Sequence, residues 1–384
     1  MKEKTVNKSI LFLPFLQIPS GHHQVAKALM EGIQQNRPDI QCEKLDILSY
    51  SFGKIESLVS NIYIKWIHAF PALYSLIYRK SVYKNLEENK RYRLYEVLFL
   101  PFMRRLLKEK QPDFIICTHA LPSYMLNHLK EKEGLMIPVI NTYTDYFIHR
   151  FWGVQHIDYH FVTSLQMKEY LKQKGIHEDR IFVTGIPIHH KINKLNKPEN
   201  RLKQAIPLNI LITGGNLGAG TIEELVNKIK ADSTIHFYVL CGTNERLYSH
   251  LKSLDKNNVT PLKYIESKEE INELYDQMDA VVTKPGGVTI SECLFKRKPI
   301  FIYHALPGQE EINLETLEEL GVIFPLKQWK DEEFSLNDWL SSFFQDSVRL
   351  DDYQSRISTY HQQLATEAPS KIVLDLLESK KERT

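Results

Sequence analysis

The sequence predicts an α/β protein with two doubly wound, Rossmann-like domains that face each other across a cleft. Short apolar runs rich in β-branched residues alternate with helix-like stretches in two separate sets, as in parallel sheets covered by helices. A chain of 384 residues is too long for one ordinary core and fits two. A polar run from Lys191 to Gln204 separates the sets, so we expect domains at residues 1–197 and 198–384.

Composition indicates a globular protein without a strong overall charge. Hydrophobic residues make up 43% and charged residues 25%, and the formal net charge is +2, so any basic surface must be local. No apolar stretch approaches the length needed to span a bilayer. The four cysteines are widely spaced, which predicts free buried thiols of a cytoplasmic protein and neither disulfides nor metal ligands. They are Cys42, Cys117, Cys241 and Cys293.

The first domain opens with a strand from Ile10 to Phe15, a turn through Gly21, and a helix that starts near His22. An imidazole at that sheet edge suits removal of a proton from a hydroxyl, because its pKa lies near neutrality. The alternative for His22 is a helix-capping residue. Further strands are predicted at Phe114–Thr118, Val139–Thr142, His160–Thr163 and Arg180–Thr184.

Residues from Leu45 to Lys110 interleave aromatic and basic side chains. Amphipathic helices of this kind lie on anionic membrane surfaces. An ordinary helical face with its aromatics packed inward is the alternative, and no nucleic-acid-binding module is recognisable. The residues predicted to contact the membrane are Trp66, Phe70, Arg79, Lys80, Arg104 and Arg105.

The second domain begins with a strand from Leu208 to Thr213, followed by the glycine-rich loop of Gly214, Gly215 and Asn216. This loop is not G-x-G-x-x-G and no acidic partner follows at the proper distance, which excludes a dehydrogenase. The next strand ends in another loop at Gly242. Both loops are expected at the ligand-binding edge of the sheet.

The stretch from Asp279 to Asn313 carries the densest set of candidate ligand contacts. A buried strand from Ala280 to Thr283 leads into Lys284, Pro285, Gly286 and Gly287, where glycine lets backbone approach a ligand closely. A helix is predicted from about Thr289, and its first N–H groups can form a phosphate-binding site. The following strand ends in a loop that contains Gln309 and Glu310, and neighbouring strands bring both loops to one edge.

A purely structural interpretation of the same residues is also open. Thr289 and Glu292 have the spacing of a capping box, which would only fix the helix start. Gly286 and Gly287 could form a simple tight turn.

Several motifs together resemble those of the GT-B glycosyltransferases that make glycolipids from UDP-sugars. These are the processive diacylglycerol glucosyltransferases and the monogalactosyldiacylglycerol synthases. The motifs are K-P-G-G at 284–287, T-x-S-E at 289–292, P-G-Q-E at 307–310, G-H at 21–22, T-D-x-x-x-H-x-x-W at 144–152 and G-I-P-I at 185–188. The chain departs from the family at Pro19, where a glycine is usual, and at His189, where an arginine is usual.

The resemblance implies a role for each matching residue. Glu292 would hold the ribose hydroxyls of UDP, the glycine loop would face the diphosphate, and Gln309 would contact the sugar. His22 would lie near the acceptor as the base or its partner. Asp145 would be a general base or an orienting carboxylate, with a helix N-cap as its alternative. His149 and Trp152 would shape the wall of the cleft.

The resemblance further implies transfer of a hexose from a UDP-sugar to a hydroxyl of a membrane glycerolipid, with inversion. UDP-sugar is a substrate, and no cofactor is expected. The chain has no Asp-x-Asp motif, so no residues mark a metal site at the diphosphate; the helix dipole and backbone N–H groups would stabilise it. The enzyme would be cytoplasmic and peripherally bound to an anionic membrane, with its last helices returning to the first domain.

Two other functions use the same predicted fold. A UDP-sugar 2-epimerase needs acid and base groups around one sugar and no membrane surface. A nucleotide-sugar sensor would bind the donor without turnover. The sequence gives neither the sugar, the lipid nor the oligomeric state.

Overall fold

The computed structural model describes residues 8–15, 20–52, 91–195, 207–214, 221–231 and 234–379. The chain divides into two compact units. The first contains Met1–His190 together with Gln363–Thr384, and the second contains Lys191–Gln362. Each unit is built on one six-stranded parallel sheet, which confirms the predicted α/β class with two doubly wound sheets.

The sheet of the first unit has the strand order β2-β1-β3-β4-β5-β6. Its strands are β1 (Ser9–Leu13), β2 (Gln41–Lys44), β3 (Phe114–Cys117), β4 (Val139–Thr142), β5 (Tyr159–Val162) and β6 (Ile181–Val183). Its helices before the second unit are α1 (Gly21–Asn36), α2 (Ile47–Phe52), α3 (Arg93–Lys110), α4 (Ala120–Glu133) and α5 (Leu165–Gln173). The chain order reverses between β1 and β3, so the loops after these strands diverge to opposite faces and leave a crevice.

The second unit has the order β12-β11-β10-β7-β8-β9. Its strands are β7 (Leu208–Thr213), β8 (Ile235–Leu240), β9 (Val259–Leu262), β10 (Ala280–Thr283), β11 (Ile300–Ile302) and β12 (Phe324–Pro325). Its helices are α6 (Thr221–Asn227), α7 (Glu245–Ser253), α8 (Lys268–Gln277), α9 (Gly287–Phe295), α10 (Gln309–Glu319), α11 (Leu336–Gln345) and α12 (Ser347–Gln363). Here the order reverses between β7 and β10.

Burial on both faces explains why the central strands consist mainly of apolar residues. All residues of β3, β4 and β10 are buried, as expected where helices cover both faces of a parallel sheet. In the second unit, Phe301 of β11 lies 5.2 Å from the ring of Trp339 and 5.0 Å from that of Phe343, edge to face. These contacts pack α11 against the sheet.

The last helix, α13 (Pro369–Ser379), belongs to the first unit and packs on α1. A Cβ atom on Gly32 would lie only 2.9 Å from Ser370 Oγ, so glycine permits this close contact between the helices. Just before α13, the Ala365 N–H donates to the Val183 carbonyl at 2.7 Å. The segment of residues 365–379 is therefore held against both α1 and the end of β6.

Two smaller expectations need correction. The helix after the K-P-G-G motif begins at Gly287, earlier than the predicted start near Thr289. All four cysteines are free, but Cys42 is only half-buried. In the described part of the chain, no helix combines the length and apolarity that a membrane-spanning segment needs.

Candidate active site

Several of the predicted site residues, and one residue that was not predicted, Thr118, follow the strands at which each sheet reverses its order. His22 follows β1, and Thr118 follows β3 in the first unit. Gly214 follows β7, and Lys284 follows β10 in the second. Because ligands of open α/β sheets bind at such reversal points, each unit contains one candidate half-site.

The His22 side chain is fixed by groups at the ends of two strands. Its Nδ1 lies 2.8 Å from the Thr118 carbonyl oxygen and 2.9 Å from Thr144 Oγ1. A carbonyl oxygen can only accept, so Nδ1 carries the proton and donates it. In neutral His22 the other ring nitrogen, Nε2, is then unprotonated and able to take a proton.

The capping interpretation of His22 is wrong. The N-cap of α1 is Ser20, and the cap has no side-chain hydrogen bond. The imidazole instead bonds to Thr118 and Thr144, which are distant in sequence.

Asp145 is buried at 6% exposure, and its charge acts on His22. Burial lowers the pKa of His22 below its ordinary value, while the Asp145 carboxylate and the Thr118 carbonyl offset part of that decrease. The N-cap alternative for Asp145 is wrong, because the next helix, α5, starts at Leu165 with Ser164 as its cap. Asp145 therefore lies beside His22 as an electrostatic partner.

His119 is a further member of this half-site that the sequence analysis missed. Its ring stacks on Phe15 at 4.6 Å and meets His22 edge to face at 4.8 Å. The Leu121 N–H donates to its Nδ1 at 3.1 Å. Burial and the neighbouring histidines hold its pKa well below the ordinary value. The sequence signal that could have identified His119 was its position directly after a predicted strand, which pairs with β1.

His149 and Trp152 lie on the loop after β4, with their rings 6.2 Å apart. Burial and nearby His22 lower the pKa of His149 to about 3, so this imidazole is neutral at physiological pH. Both side chains line a cavity of about 340 Å³. Neither His22 nor Asp145 is among its lining residues, so the structure does not bring all four predicted acceptor residues into one cavity.

The predicted membrane contacts are only partly within the described residues. Trp66, Phe70, Arg79 and Lys80 lie outside them. Arg104 and Arg105 lie on α3 and are engaged in ion pairs, with Glu133 at 2.6 Å and Glu109 at 2.7 Å.

In the second unit, the loop of residues 284–287 joins β10 to α9. Lys284 is buried at 6% exposure, and burial lowers its pKa although Glu310 acts in the opposite direction. The Asn313 side-chain amide donates to the Pro285 carbonyl at 3.2 Å. Since Asn313 belongs to α10, this bond ties the loop after β10 to the helix that follows β11.

Gly286 is the N-cap of α9, with φ −79° and ψ 132°. This backbone conformation is open to any residue, and a Cβ atom on Gly286 would meet nothing within 4 Å. Neither turn geometry nor internal packing therefore requires glycine here, which argues against the simple tight-turn interpretation. Among the described residues, no side chain caps α9 and no acid lies in its first turn, so its N–H groups suit an anion.

Glu292 lies in the second turn of α9 and is 5% exposed. Its Oε1 accepts from Lys268 Nζ at 3.1 Å, and its Oε2 accepts from the Tyr275 hydroxyl at 3.0 Å. Both partners lie on α8. The capping-box interpretation is wrong, because α9 starts before Thr289 and the Glu292 carboxylate bonds to α8. Burial and the Glu292 carboxylate raise the pKa of Tyr275 well above its ordinary value, so its hydroxyl keeps its proton and donates.

The loop before α10 is held by the two glutamates that follow Gln309. Glu310 Oε2 accepts from the Leu306 N–H at 2.7 Å, and Glu311 Oε2 accepts from the Gly308 N–H at 3.0 Å. Gly308 has φ +89°, a conformation that favours glycine. Half-buried Gln309 begins the helix.

Of the other two glycine-containing loops, which follow β7 and β8, the structure describes the first only in part. Gly214 has no room for a side chain, because a Cβ atom would lie 2.7 Å from Ile222 Cδ1. Gly242 has φ +60°, which the turn itself explains. Gly215 and Asn216 lie outside the described residues.

Comparisons with known proteins identify the family of the chain. A family model for monogalactosyldiacylglycerol synthase matches residues 22–188, and one for the C-terminal domain of glycosyltransferase family 28 matches residues 209–322. An uncharacterized glycosyltransferase of Bacillus subtilis, YkoN, is 44% identical over 92% of this chain and 93% of its own length. A processive diacylglycerol β-glucosyltransferase of Bacillus cereus is 30% identical over 86% of this chain and 84% of its own. The chain belongs to this family of GT-B glycosyltransferases.

Solved structures support the GT-B fold. MurG of Acinetobacter baumannii matches with a TM-score of 0.57 and 16% identity, over 97% of this chain and 99% of its own. A UDP-N-acetylglucosamine 2-epimerase of Neisseria meningitidis matches with a TM-score of 0.53 and 14% identity, over 97% of this chain and 100% of its own. At such identities the likeness establishes the fold alone. The family assignment of this glycosyltransferase rests on its closer relatives.

The open space at Gly286 gives the first prediction. We expect the free energy of unfolding of Gly286→Ala to lie within about 1 kcal/mol of the wild-type value. Alanine is a poorer N-cap than glycine, which destabilises the helix, but it also lowers the entropy of the unfolded chain, which stabilises the fold. A methyl group there would keep a diphosphate from the α9 N–H groups. Loss of a charge-assisted hydrogen bond costs about 1.5–3 kcal/mol, so UDP affinity measured by calorimetry should fall roughly tenfold to a hundredfold.

Uridine is the matched control ligand, since it lacks the diphosphate and should bind the variant as it binds wild type. An unchanged affinity for UDP in Gly286→Ala would show that this loop does not hold the phosphates.

Proposed function

We propose that this glycosyltransferase transfers a hexose from a UDP-sugar to a hydroxyl of a diacylglycerol-type membrane lipid, with inversion at the sugar. The observation that carries the proposal is the hydrogen bond from His22 Nδ1 to the Thr118 carbonyl. This bond leaves Nε2 able to take the acceptor proton. Several relatives are named processive diacylglycerol β-glucosyltransferases, which supports a lipid acceptor.

The donor half-site is proposed in the second unit. The α9 N-terminus would receive the diphosphate of UDP, where the helix dipole and free N–H groups stabilise the charge that develops on the leaving group. The Glu292 carboxylate, held by Lys268 and Tyr275, retains lone pairs for the ribose hydroxyls. Gln309, at the start of α10, would contact the sugar. A GT-B-fold epimerase is bound to UDP-GlcNAc in its crystal structure, so the fold accommodates such a donor.

Proton transfer is proposed in the first unit. As the acceptor oxygen attacks the anomeric carbon, its proton passes to His22 Nε2 and UDP departs from the opposite face of the sugar. One displacement of this kind inverts the configuration. Of the two candidate bases, His22 has the unprotonated nitrogen, and the buried Asp145 carboxylate would stabilise the imidazolium that forms.

The reaction itself gives the second prediction. We expect UDP release from UDP-glucose or UDP-galactose to require vesicles that contain diacylglycerol, with a glycosylated lipid detected by mass spectrometry. His22→Ala should lower kcat about 10²–10⁴-fold, the usual contribution of a positioned base, and leave the Kd for UDP unchanged.

Other outcomes would point to the alternatives. Interconversion of UDP-sugars without lipid would identify an epimerase, and donor binding without turnover would identify a sensor. Either result contradicts the proposed transfer.

The pH dependence gives the third prediction. His22 must be neutral to accept a proton, so kcat/KM should fall as the pH decreases through its pKa, which burial places below the ordinary value. The Asp145 carboxylate raises that pKa, so Asp145→Asn should move the acid limb of the profile to lower pH while slowing turnover. The measurement is kcat/KM against pH for both proteins.

Asp179→Asn is the matched control, because Asp179 is exposed and pairs with His177 at 2.7 Å. Its profile should follow that of wild type. Loss of turnover in Asp145→Asn at every pH would make Asp145 the base.

We also propose that the enzyme works at the inner face of the cell membrane as a peripheral protein. On α3, Val97 is 74% exposed, and Tyr95 and Leu98 are 43% and 40% exposed. These apolar side chains follow the strongly basic and aromatic stretch of the sequence. Exposed apolar groups beside basic residues fit the boundary between headgroups and acyl chains of an anionic bilayer.

Charge substitution of this apolar patch gives the fourth prediction. An apolar side chain buried in a bilayer contributes about 1.5–3 kcal/mol, so Val97→Glu combined with Leu98→Glu should weaken binding to anionic vesicles at least about tenfold. Co-sedimentation at two salt concentrations measures the effect.

Val348→Glu is the control, because Val348 is 77% exposed but lies in the second unit; its vesicle binding should equal that of wild type. A wild-type protein that stays in the supernatant at low salt would overturn the membrane proposal.

A further inference from the structure

One cluster of potential metal ligands consists of residues that belong to neither half-site. Glu31 belongs to α1, while His189 and His190 follow β6 in the same unit. One ligand atom from each of these three side chains lies within 4.8 Å of the other two. His189 Nε2 contacts the Glu31 carboxylate directly. The proposed catalysis uses none of these residues.

The geometry points to a binding site for one divalent transition-metal ion, of the zinc class, held by Glu31, His189 and His190. Two imidazoles and one carboxylate form a ligand set that suits Zn²⁺, Co²⁺, Ni²⁺ or Cu²⁺, whereas Mg²⁺ and Ca²⁺ prefer oxygen ligands alone. Three protein ligands leave a further position for water.

Burial and packing partly organise this cluster in advance. His189 is only 7% exposed, and its ring stacks on that of His190 with centroids 4.5 Å apart and planes inclined by 24°. Ligand atoms bound at about 2.0–2.2 Å to one zinc ion lie roughly 3–4 Å from one another. The ion would separate the directly bonded His189 and Glu31 groups, and the exposed His190 side chain would move inward by up to about one ångström to complete the ligand set.

The position of the cluster indicates a structural role. His190 is the last residue before the chain passes into the second unit, and Glu31 lies on the helix that begins at Gly21 and carries His22. A metal held by these three ligands would fasten the departing chain to α1. The ion would take no part in the glycosyl transfer, so this inference is independent of the proposed function.

The fifth prediction uses metal alone. Tag-free, chelator-treated full-length protein should bind one equivalent of Zn²⁺ in calorimetry, give the visible absorption of tetrahedral or five-coordinate Co²⁺, and show a higher Tm with Zn²⁺ than without. Loss of even an outer partner of a metal ligand weakens binding about 10–100-fold. Glu31→Gln and His190→Ala should therefore each weaken Zn²⁺ binding at least about tenfold and remove the Co²⁺ absorption.

The control variant is His177→Ala, which removes an exposed histidine that also lies beside a carboxylate. It should bind Zn²⁺ as wild type does. Glu31→Gln retains a polar partner for His189, and circular dichroism establishes that each variant folds. The proposed site would be overturned if wild type did not bind stoichiometric Zn²⁺, or if wild type and both ligand variants bound it with equal affinity. Glu31 and His189 would then form only an ion pair.

Discussion

Both sheets are parallel and covered on both faces, and this constraint determines where polar chemistry can lie. Most strand residues inside such a sheet are apolar because no water reaches either face, as in the fully buried β3, and a buried polar exception such as Asn141 is hydrogen-bonded to the Gly153 carbonyl. Functional side chains are therefore restricted to the loops at the strand ends. Reversal of strand order between β1 and β3, and between β7 and β10, opens a crevice there in each unit.

The main chain at these strand ends does chemical work as well as structural work. The carbonyl of Thr118, one residue beyond β3, fixes the tautomer of His22. Burial then keeps the pKa of His22 below its ordinary value, although the Asp145 carboxylate offsets part of that decrease, so the neutral imidazole is favoured. In the second unit, the strand end delivers Gly286 as the N-cap of α9, which leaves the helix N-terminus open to an anion.

Structural features that depend on local sequence pattern could be predicted from the sequence. The strand Ala280–Thr283 was predicted with its observed bounds, because a short β-branched run before a breaker has few alternatives. The start of α9 was misplaced because sequence rules seek Ser or Thr at the N-cap, and the cap is Gly286. Lys268 and Tyr275, which bond Glu292, were missed because only tertiary packing of α8 on α9 brings them close. His119 had a sequence signal, its position directly after a predicted strand, but its contact with His22 also depends on tertiary packing.

Each half-site is held by residues of its own unit, and this has an energetic basis. A carboxylate as buried as Glu292 is costly unless it is paired and hydrogen-bonded. Lys268 and Tyr275 meet that need within the second unit, just as Thr118 and Thr144 hold His22 within the first. None of these hydrogen bonds involves a residue of the other unit. Substitutions in one unit should thus change nucleotide affinity or proton transfer separately, which lets binding and chemistry be dissected in this enzyme.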